Sequence, residues 1–262
     1  MLFNVGDLVT RRSHGNDIIF KIIAIDDNMA YLKGLDIRLI ADSFIDDLQK
    51  VETHELEDDE DITMTLTRTI DLNRDEFFYL PGKILHIDAD KEYLERCMSL
   101  YKKMKIMAYG VVIPEKNVSE NIKTYLEQVK PDIVVITGHD ARLQSSNKKE
   151  KIEIYKNSNN FIKAVQEARN YENSQEKLIV IAGACQSNYE ELIRAGANFA
   201  SSPKRINIHA LDPAIIASLV ALSDRSDAID LIKIINSTKY KEEGMGGIIT
   251  RGTMYVGYPR WT

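Results

Sequence analysis

The sequence predicts an α/β protein in which a mainly parallel sheet with helices on both faces follows a small antiparallel β unit. Three observations predict it. From residue 83 onward, apolar β-branched runs alternate with amphipathic stretches, the pattern of strands buried on both faces and joined by helical crossovers. The first fifty residues instead carry short β-branched or aromatic runs broken by Gly, Asn and Asp, as antiparallel strands require. Between them lies Glu52-Thr53-His54-Glu55-Leu56-Glu57-Asp58-Asp59-Glu60-Asp61, nearly all acidic, whose self-repulsion predicts a solvated, extended boundary. The expected organisation is a β unit over 1–50, an acidic linker over 51–82 and an α/β domain over 83–262.

In the first unit the runs are Val5-Gly6-Asp7-Leu8-Val9, Ile18 to Ile25, Ala30-Tyr31-Leu32 and Ile37-Arg38-Leu39-Ile40. Four such strands suit a small SH3-like β barrel, a size typical of a packing or docking module. In the α/β domain, Lys83-Ile84-Leu85-His86-Ile87-Asp88 reads as the first strand. Leu94, Cys97, Met98 and Tyr101 then repeat at helical spacing. A strand follows at 106–112, and Val118, Ile122, Leu126 and Val129 share one helical face. Ile133-Val134-Val135-Ile136 is the third strand, and Phe161, Val165 and Ala168 mark a further helix. Leu178-Ile179-Val180-Ile181-Ala182 is the fourth strand, a short helix spans 189–195, and Asn198-Phe199-Ala200 is a weak fifth strand. Residues 213–222 and 228–235 look helical. The glycine-rich stretch 243–252 leads to a last strand and lacks the spacing of a phosphate-binding loop.

Composition narrows the function. The chain has 262 residues, 44% of them apolar and 28% charged, enough for one large domain and a small one. No stretch approaches the roughly 18 apolar residues of a membrane span, and Met1 to Gly6 lack a basic region followed by an apolar core. The expectation is a cytoplasmic protein with no membrane partner. A net charge of -6 argues against nucleic acid as a partner. Cys97 and Cys185 are the only cysteines, with no CxxC or Cys/His cluster, so neither a disulfide framework nor a metal site is legible. The acidic run lacks the Gly turn and spaced ligands of a calcium loop.

Ligands and reactive groups collect outside the carboxyl ends of parallel strands. The third strand is followed by Thr137-Gly138-His139-Asp140 and the fourth by Gly183-Ala184-Cys185-Gln186-Ser187. If these strands are neighbours, about 4.8 Å apart, His139 and Cys185 enter the same cleft, as a thiol nucleophile and its proton-transfer partner must. Cys185 stands just before a helix, whose dipole is expected to favour the thiolate. This chemistry requires no metal and no organic cofactor. A lone cysteine at a strand end also fits a small core hydrophobe, and it is the pairing with His139 that favours chemistry. His209 is a rival base or a substrate contact. His86, inside a strand, reads as a hydrogen-bonded core residue, Cys97 as core, and His14 and His54 as exposed.

The 46-residue separation of His139 and Cys185 and the Ala184-Cys185-Gln186 core resemble the caspase-like cysteine peptidases. Over nearly its full length the chain resembles the YabG family of sporulation-specific cysteine proteases of the spore coat. The matching stretches are Val5-Gly6-Asp7-Leu8-Val9, Arg38-Leu39-Ile40-Ala41-Asp42-Ser43, Pro81-Gly82 with the first α/β strand, Thr137-Gly138-His139-Asp140, Ala182-Gly183-Ala184-Cys185-Gln186-Ser187 and the whole of 201–213.

The resemblance implies a caspase-like α/β domain over 83–262 and a cysteine endopeptidase with Cys185 as nucleophile and His139 as general base and acid. It implies cleavage after arginine, by extension lysine, of protein substrates of the spore coat and cortex region, within the mother cell at the developing coat. It also implies self-processing, for which Arg68 and Arg74 in the linker are the candidate sites. Caspase-like enzymes place Gly after the histidine where this chain has Asp140. The backbone N–H of Asp140 and that of Cys185 still supply two donors for an oxyanion hole. Recognition of arginine needs a buried carboxylate, and Asp88, Asp90 and Asp212 are the candidates; Asp90 and Asp212 are also placed to cap helices. Two other readings remain: a thiol-dependent amidase or amidotransferase, and a noncatalytic coat scaffold.

Overall fold

The structure, a computed structural model, describes residues 3–51, 59–69, 75–142 and 155–260. The N-terminal unit is a five-stranded antiparallel sheet: β1 (Leu8–Arg11), β2 (Phe20–Asp26), β3 (Met29–Gly34), β4 (Ile40–Phe44) and β5 (Leu48–Lys50), in the spatial order β4-β3-β2-β1-β5. Alternate residues Val9, Phe20, Ile22, Ala30, Leu32 and Leu48 form its core, as the period of two along each strand dictates. Ile37 to Leu39, expected to run on into Ile40 as one strand, instead leave the sheet. Ile37 pairs with His209 of the α/β domain, and β4 starts only at Ile40.

The acidic run was expected to be extended through Asp61, yet α1 (Asp59–Thr69) begins within it. Its Leu66 is 2% exposed and belongs to the core beneath the main sheet, so an apolar anchor outweighs the local repulsion. His54 and Arg74 lie outside the described residues. A short strand β6 (Phe78–Leu80) follows.

The α/β domain contains β7 (Ile84–Asp88), α2 (Lys91–Lys103), β8 (Ala108–Val112), α3 (Val118–Val129), β9 (Ile133–Thr137), α4 (Ser158–Tyr171), β10 (Ile179–Ala182), α5 (Tyr189–Arg194), β11 (Phe199–Ser201) and α6 (Asp212–Ala221). It ends with α7 (Leu231–Asn236), α8 (Lys241–Gly244), β12 (Met245–Gly247) and β13 (Tyr255–Gly257). The sheet order is β12-β11-β10-β9-β7-β8, parallel except for β12, while β13 pairs with β6. Two apolar layers enclose it: one built with α2 and α6, the other with α3, α4 and α5. β7 and β9 are buried at every position, hence their mainly apolar sequence, into which β7 admits His86 and Asp88.

Two terminal expectations are corrected. The helix read over 228–235 is shortened to α7, because Ala228 pairs with Arg251 and the Asp230 side chain caps the helix through Lys233 N. The glycine-rich stretch does not lead straight to the last strand: Met245 to Gly247 first form the antiparallel edge strand β12 beside β11.

Candidate active site

Chain order departs from neighbour order between β7 and β9. After β7 the chain adds β8 on one side and then returns to add β9 on the other. Such a switch point is where a ligand crevice is expected, outside the carboxyl ends of the two strands, and His139 stands there, two residues past β9. Its Nε2 stands 3.6 Å from Oδ2 of Asp90 and its Nδ1 3.5 Å from Oε1 of Glu115. The same Glu115 oxygen accepts the His139 backbone N–H at 2.8 Å. Asp90 caps α2 as expected, accepting from Glu92 N and Tyr93 N, and pairs with Lys33 at 2.7 Å. Burial pushes the Asp90 carboxyl up, but the bond and charge of Lys33 outweigh it and hold it below its ordinary value. For Glu115 burial acts in the same direction and is outweighed by the hydrogen bonds to His139.

Cys185 holds the matching position on the next strand. Ala182 is in register with Ile136, and Gly183 N donates to Ile136 O at 3.0 Å. Three residues beyond each partner come Cys185 and His139. Beyond that point the loops part. Gln186 adopts φ +56, and Cys185 lies in the α2/α6 layer with no exposed surface. The Ile208 N–H donates to Sγ at 3.2 Å. Burial pushes the thiol up to about 12. The expectation of a thiol lowered by a helix N-terminus is therefore corrected. Helix α5 is six residues long, starts only at Tyr189 and is capped by the Asn188 side chain, so desolvation of Sγ dominates. Among the described residues no hydrogen bond joins His139 to Cys185.

The cover over the sulfur is the segment 206–210, itself held by the N-terminal unit. Arg38 N donates to Ile208 O at 3.2 Å, and Ala210 N to Asp36 O at 2.8 Å. The Arg38 side chain is fully buried: it forms an ion pair with Asp88 at 2.6 Å, and Nε and Nη2 donate to Ala210 O at 3.0 and 2.9 Å. Asp88, one candidate reader of arginine, is thus already paired with an arginine of its own chain. Cys97 is core, with its thiol pushed up to about 12 by burial. His86 is core as expected, its Nδ1 2.8 Å from Tyr101 OH, and burial holds it neutral.

The other candidate carboxylate, Asp212, is fully buried in the wall of a cavity of about 490 Å³ also lined by Asp61, Thr65, His209, Ile215 and Lys239. It does not precede α6 as a cap but opens it, accepting from His209 N and Lys239 N, each at 2.9 Å. Burial raises its carboxyl to about 6. Ile208, which covers Cys185, is the neighbour of His209 in this cavity wall. Asp140 ties the two strand ends together: its carboxylate accepts from Ala141 N, Asn157 N, Ser158 Oγ and Ser187 Oγ. Ser187 Oγ in turn accepts from Ala184 N at 2.9 Å. Sequence reasoning passed over Arg38 and Glu115. Reading the residue after every strand end, including the 106–112 strand, reaches Glu115; nothing local signals a partner for Arg38 fifty residues away.

The family model described as YabG peptidase U57 matches residues 4–70 and 58–259. The chain belongs to that family. It is 37% identical to the sporulation-specific protease YabG of Bacillus subtilis (strain 168), over an alignment of 289 residues that covers 99% of each chain. No solved structure gives a significant match. Family membership makes the chain a protease of the sporulation type. Among the described residues, no helix is long and apolar enough to cross a membrane.

Proposed function

We propose that the chain is a cysteine endopeptidase in which Cys185 attacks the peptide carbonyl and His139 moves the proton. The observation that carries this reading is the equivalent placement of the two residues, each three positions beyond the register pair Ile136 and Ala182 on adjacent parallel strands, in a member of a peptidase family. His139 takes the thiol proton as Sγ bonds to the carbonyl carbon. The imidazolium then protonates the departing amine, leaving a thioester. Water, deprotonated by the same imidazole, releases the acid and restores the thiol. The backbone N–H groups of Asp140 and Cys185 donate no hydrogen bond among the described residues, which supports them as donors to the oxyanion. Because Sγ is covered by Ile208, turnover requires segment 206–210 to shift as substrate enters the neighbouring cavity.

For the residue before the cut we propose arginine, with lysine as the weaker alternative, read by Asp212. Asp88 is committed to Arg38 and Asp90 to Lys33, whereas Asp212 is buried in a cavity wall with its oxygens on the N–H groups of His209 and Lys239, and reading arginine requires that wall to open with the 206–210 segment. An arginine seated there makes charge-assisted bonds to the carboxylate, while His209 contacts the substrate. The substrates proposed are proteins of the spore coat and cortex region, met in the mother cell. Arg68 on α1 and Arg74 are the proposed points of self-processing. The architecture is proposed as a caspase-like domain over 83–262, joined by the 51–82 segment to an SH3-like unit over 1–50.

The test is hydrolysis of peptides that differ only in the residue before the cut, with Cys185→Ala and His139→Ala beside the unaltered protein. Cleavage after arginine that both substitutions abolish is the expected result. Turnover retained in Cys185→Ala removes the thiol mechanism, and cleavage of glutamine side-chain amides in place of peptide bonds favours an amidase.

A further inference from the structure

A base in a dyad works only if its ring is held in one orientation and one tautomer. Resting on the dyad reading above, we infer that Glu115 is the positioning residue of His139, making a three-membered array of Glu115, His139 and Cys185 from the ends of three different strands. Glu115 follows β8 after Ile113 and Pro114, and its Oε1 holds His139 at two points: 2.8 Å from the backbone N and 3.5 Å from Nδ1. One oxygen thereby fixes both the main chain and the ring edge. An Nδ1–H directed at this carboxylate leaves Nε2 as the atom with the open lone pair. Nε2 is buried and makes no hydrogen bond among the described residues, as the proton-accepting atom of a base awaiting its nucleophile must.

The surroundings favour Glu115 over the second carboxylate near the ring. Asp90 lies 3.6 Å from Nε2, but it spends its oxygens on the first turn of α2 and on Lys33. Tyr93, the remaining neighbour, lies with its ring centroid 5.8 Å from the imidazole and directs its hydroxyl to the carbonyls of Gly34 and Ile37. Glu115 pairs with His139 alone among the described residues. The main chain is shaped to admit it: a Cβ at Gly138 would stand 2.8 Å from Glu115 Oε1 and 3.0 Å from the Ala89 Cβ. A side chain at 138 would therefore push the carboxylate off the histidine.

The experiment compares steady-state peptidase kinetics and melting temperature for the full chain with Glu115→Gln, Glu115→Asp and His139→Ala. Gln keeps an oxygen acceptor for the His139 N–H and removes the charge facing Nδ1. The expected result is a kcat lowered about 10- to 100-fold in Glu115→Gln with KM within about twofold, a partial return in Glu115→Asp, and melting temperatures close to that of the unaltered protein. Unchanged kcat in Glu115→Gln beside an inactive His139→Ala overturns the positioning role and leaves the dyad standing. A loss in Glu115→Gln that follows KM or melting temperature in place of kcat also overturns it. Full activity in His139→Ala overturns the dyad itself, and the role of Glu115 with it.

Discussion

The ends of β9 and β10 differ in one respect that governs chemistry: His139 is partly exposed between two carboxylates, with its Nε2 buried, whereas Cys185 is sealed beneath Ile208. Both lie at the same register position of neighbouring parallel strands, so the sheet itself does not distinguish them. The difference comes from what packs over each loop. The histidine lies at the switch point, where a ligand crevice is expected. The cysteine faces the α2/α6 layer, over which residues 36–38 of the N-terminal unit pin 208–210. In this conformation the proposed base is in place and the proposed nucleophile is stored as a thiol. The contrast teaches that the position of a residue along a strand fixes which edge it reaches, while its reactivity is set by the neighbouring segment that covers it.

The largest effect expected from this contrast is in thiol accessibility. Burial pushes both thiols up to about 12, so far less thiolate is present at neutral pH than for an ordinary cysteine. Titration with a small thiol reagent should find both cysteines unreactive in the native protein and both reactive in denaturant. Fast reaction of Cys185 in the folded chain breaks the comparison.

A smaller effect sharpens it on the cavity side. Asp212→Asn should lower kcat/KM for arginyl peptides about 10- to 100-fold and leave poor substrates little changed, measured over a peptide series. The pH dependence follows from the carboxyl raised to about 6: above that pH it is ionised and attracts guanidinium, and below it is protonated and does not. KM for arginyl peptides should therefore rise as pH falls through about 6, and Asp212→Asn should abolish that rise. A KM indifferent to pH in this range removes Asp212 as the reader.

Much of the fold was legible because buried parallel strands leave mainly apolar runs: β7, β9 and β10 fall within a residue or so of where composition places them. Helix α3 likewise follows from Val118, Ile122, Leu126 and Val129. What was not legible depends on distant partners. Residues 37–39 read as one strand with Ile40, because Ile37, Leu39 and Ile40 are all aliphatic, yet Ile37 pairs with His209 and β4 begins afterwards. Leu66, with Ile62 beside it in a stretch that opens acidic, is an anchor because a core lies beneath it. In the site, the strand-end rule identifies His139 and Cys185 as residues of one sheet edge. It carries no information on which way Sγ turns, which follows from the left-handed Gln186 and from Ile208.

The most direct test of the central claim is mass spectrometry of the protein after reaction with a peptide that carries an arginine followed by a thiol-reactive carbonyl electrophile. One adduct per chain on Cys185, formed faster than with a small thiol reagent and lost in His139→Ala, is the result this account predicts. An adduct on Cys97 or another residue, or undiminished labelling when His139 is replaced, would contradict it.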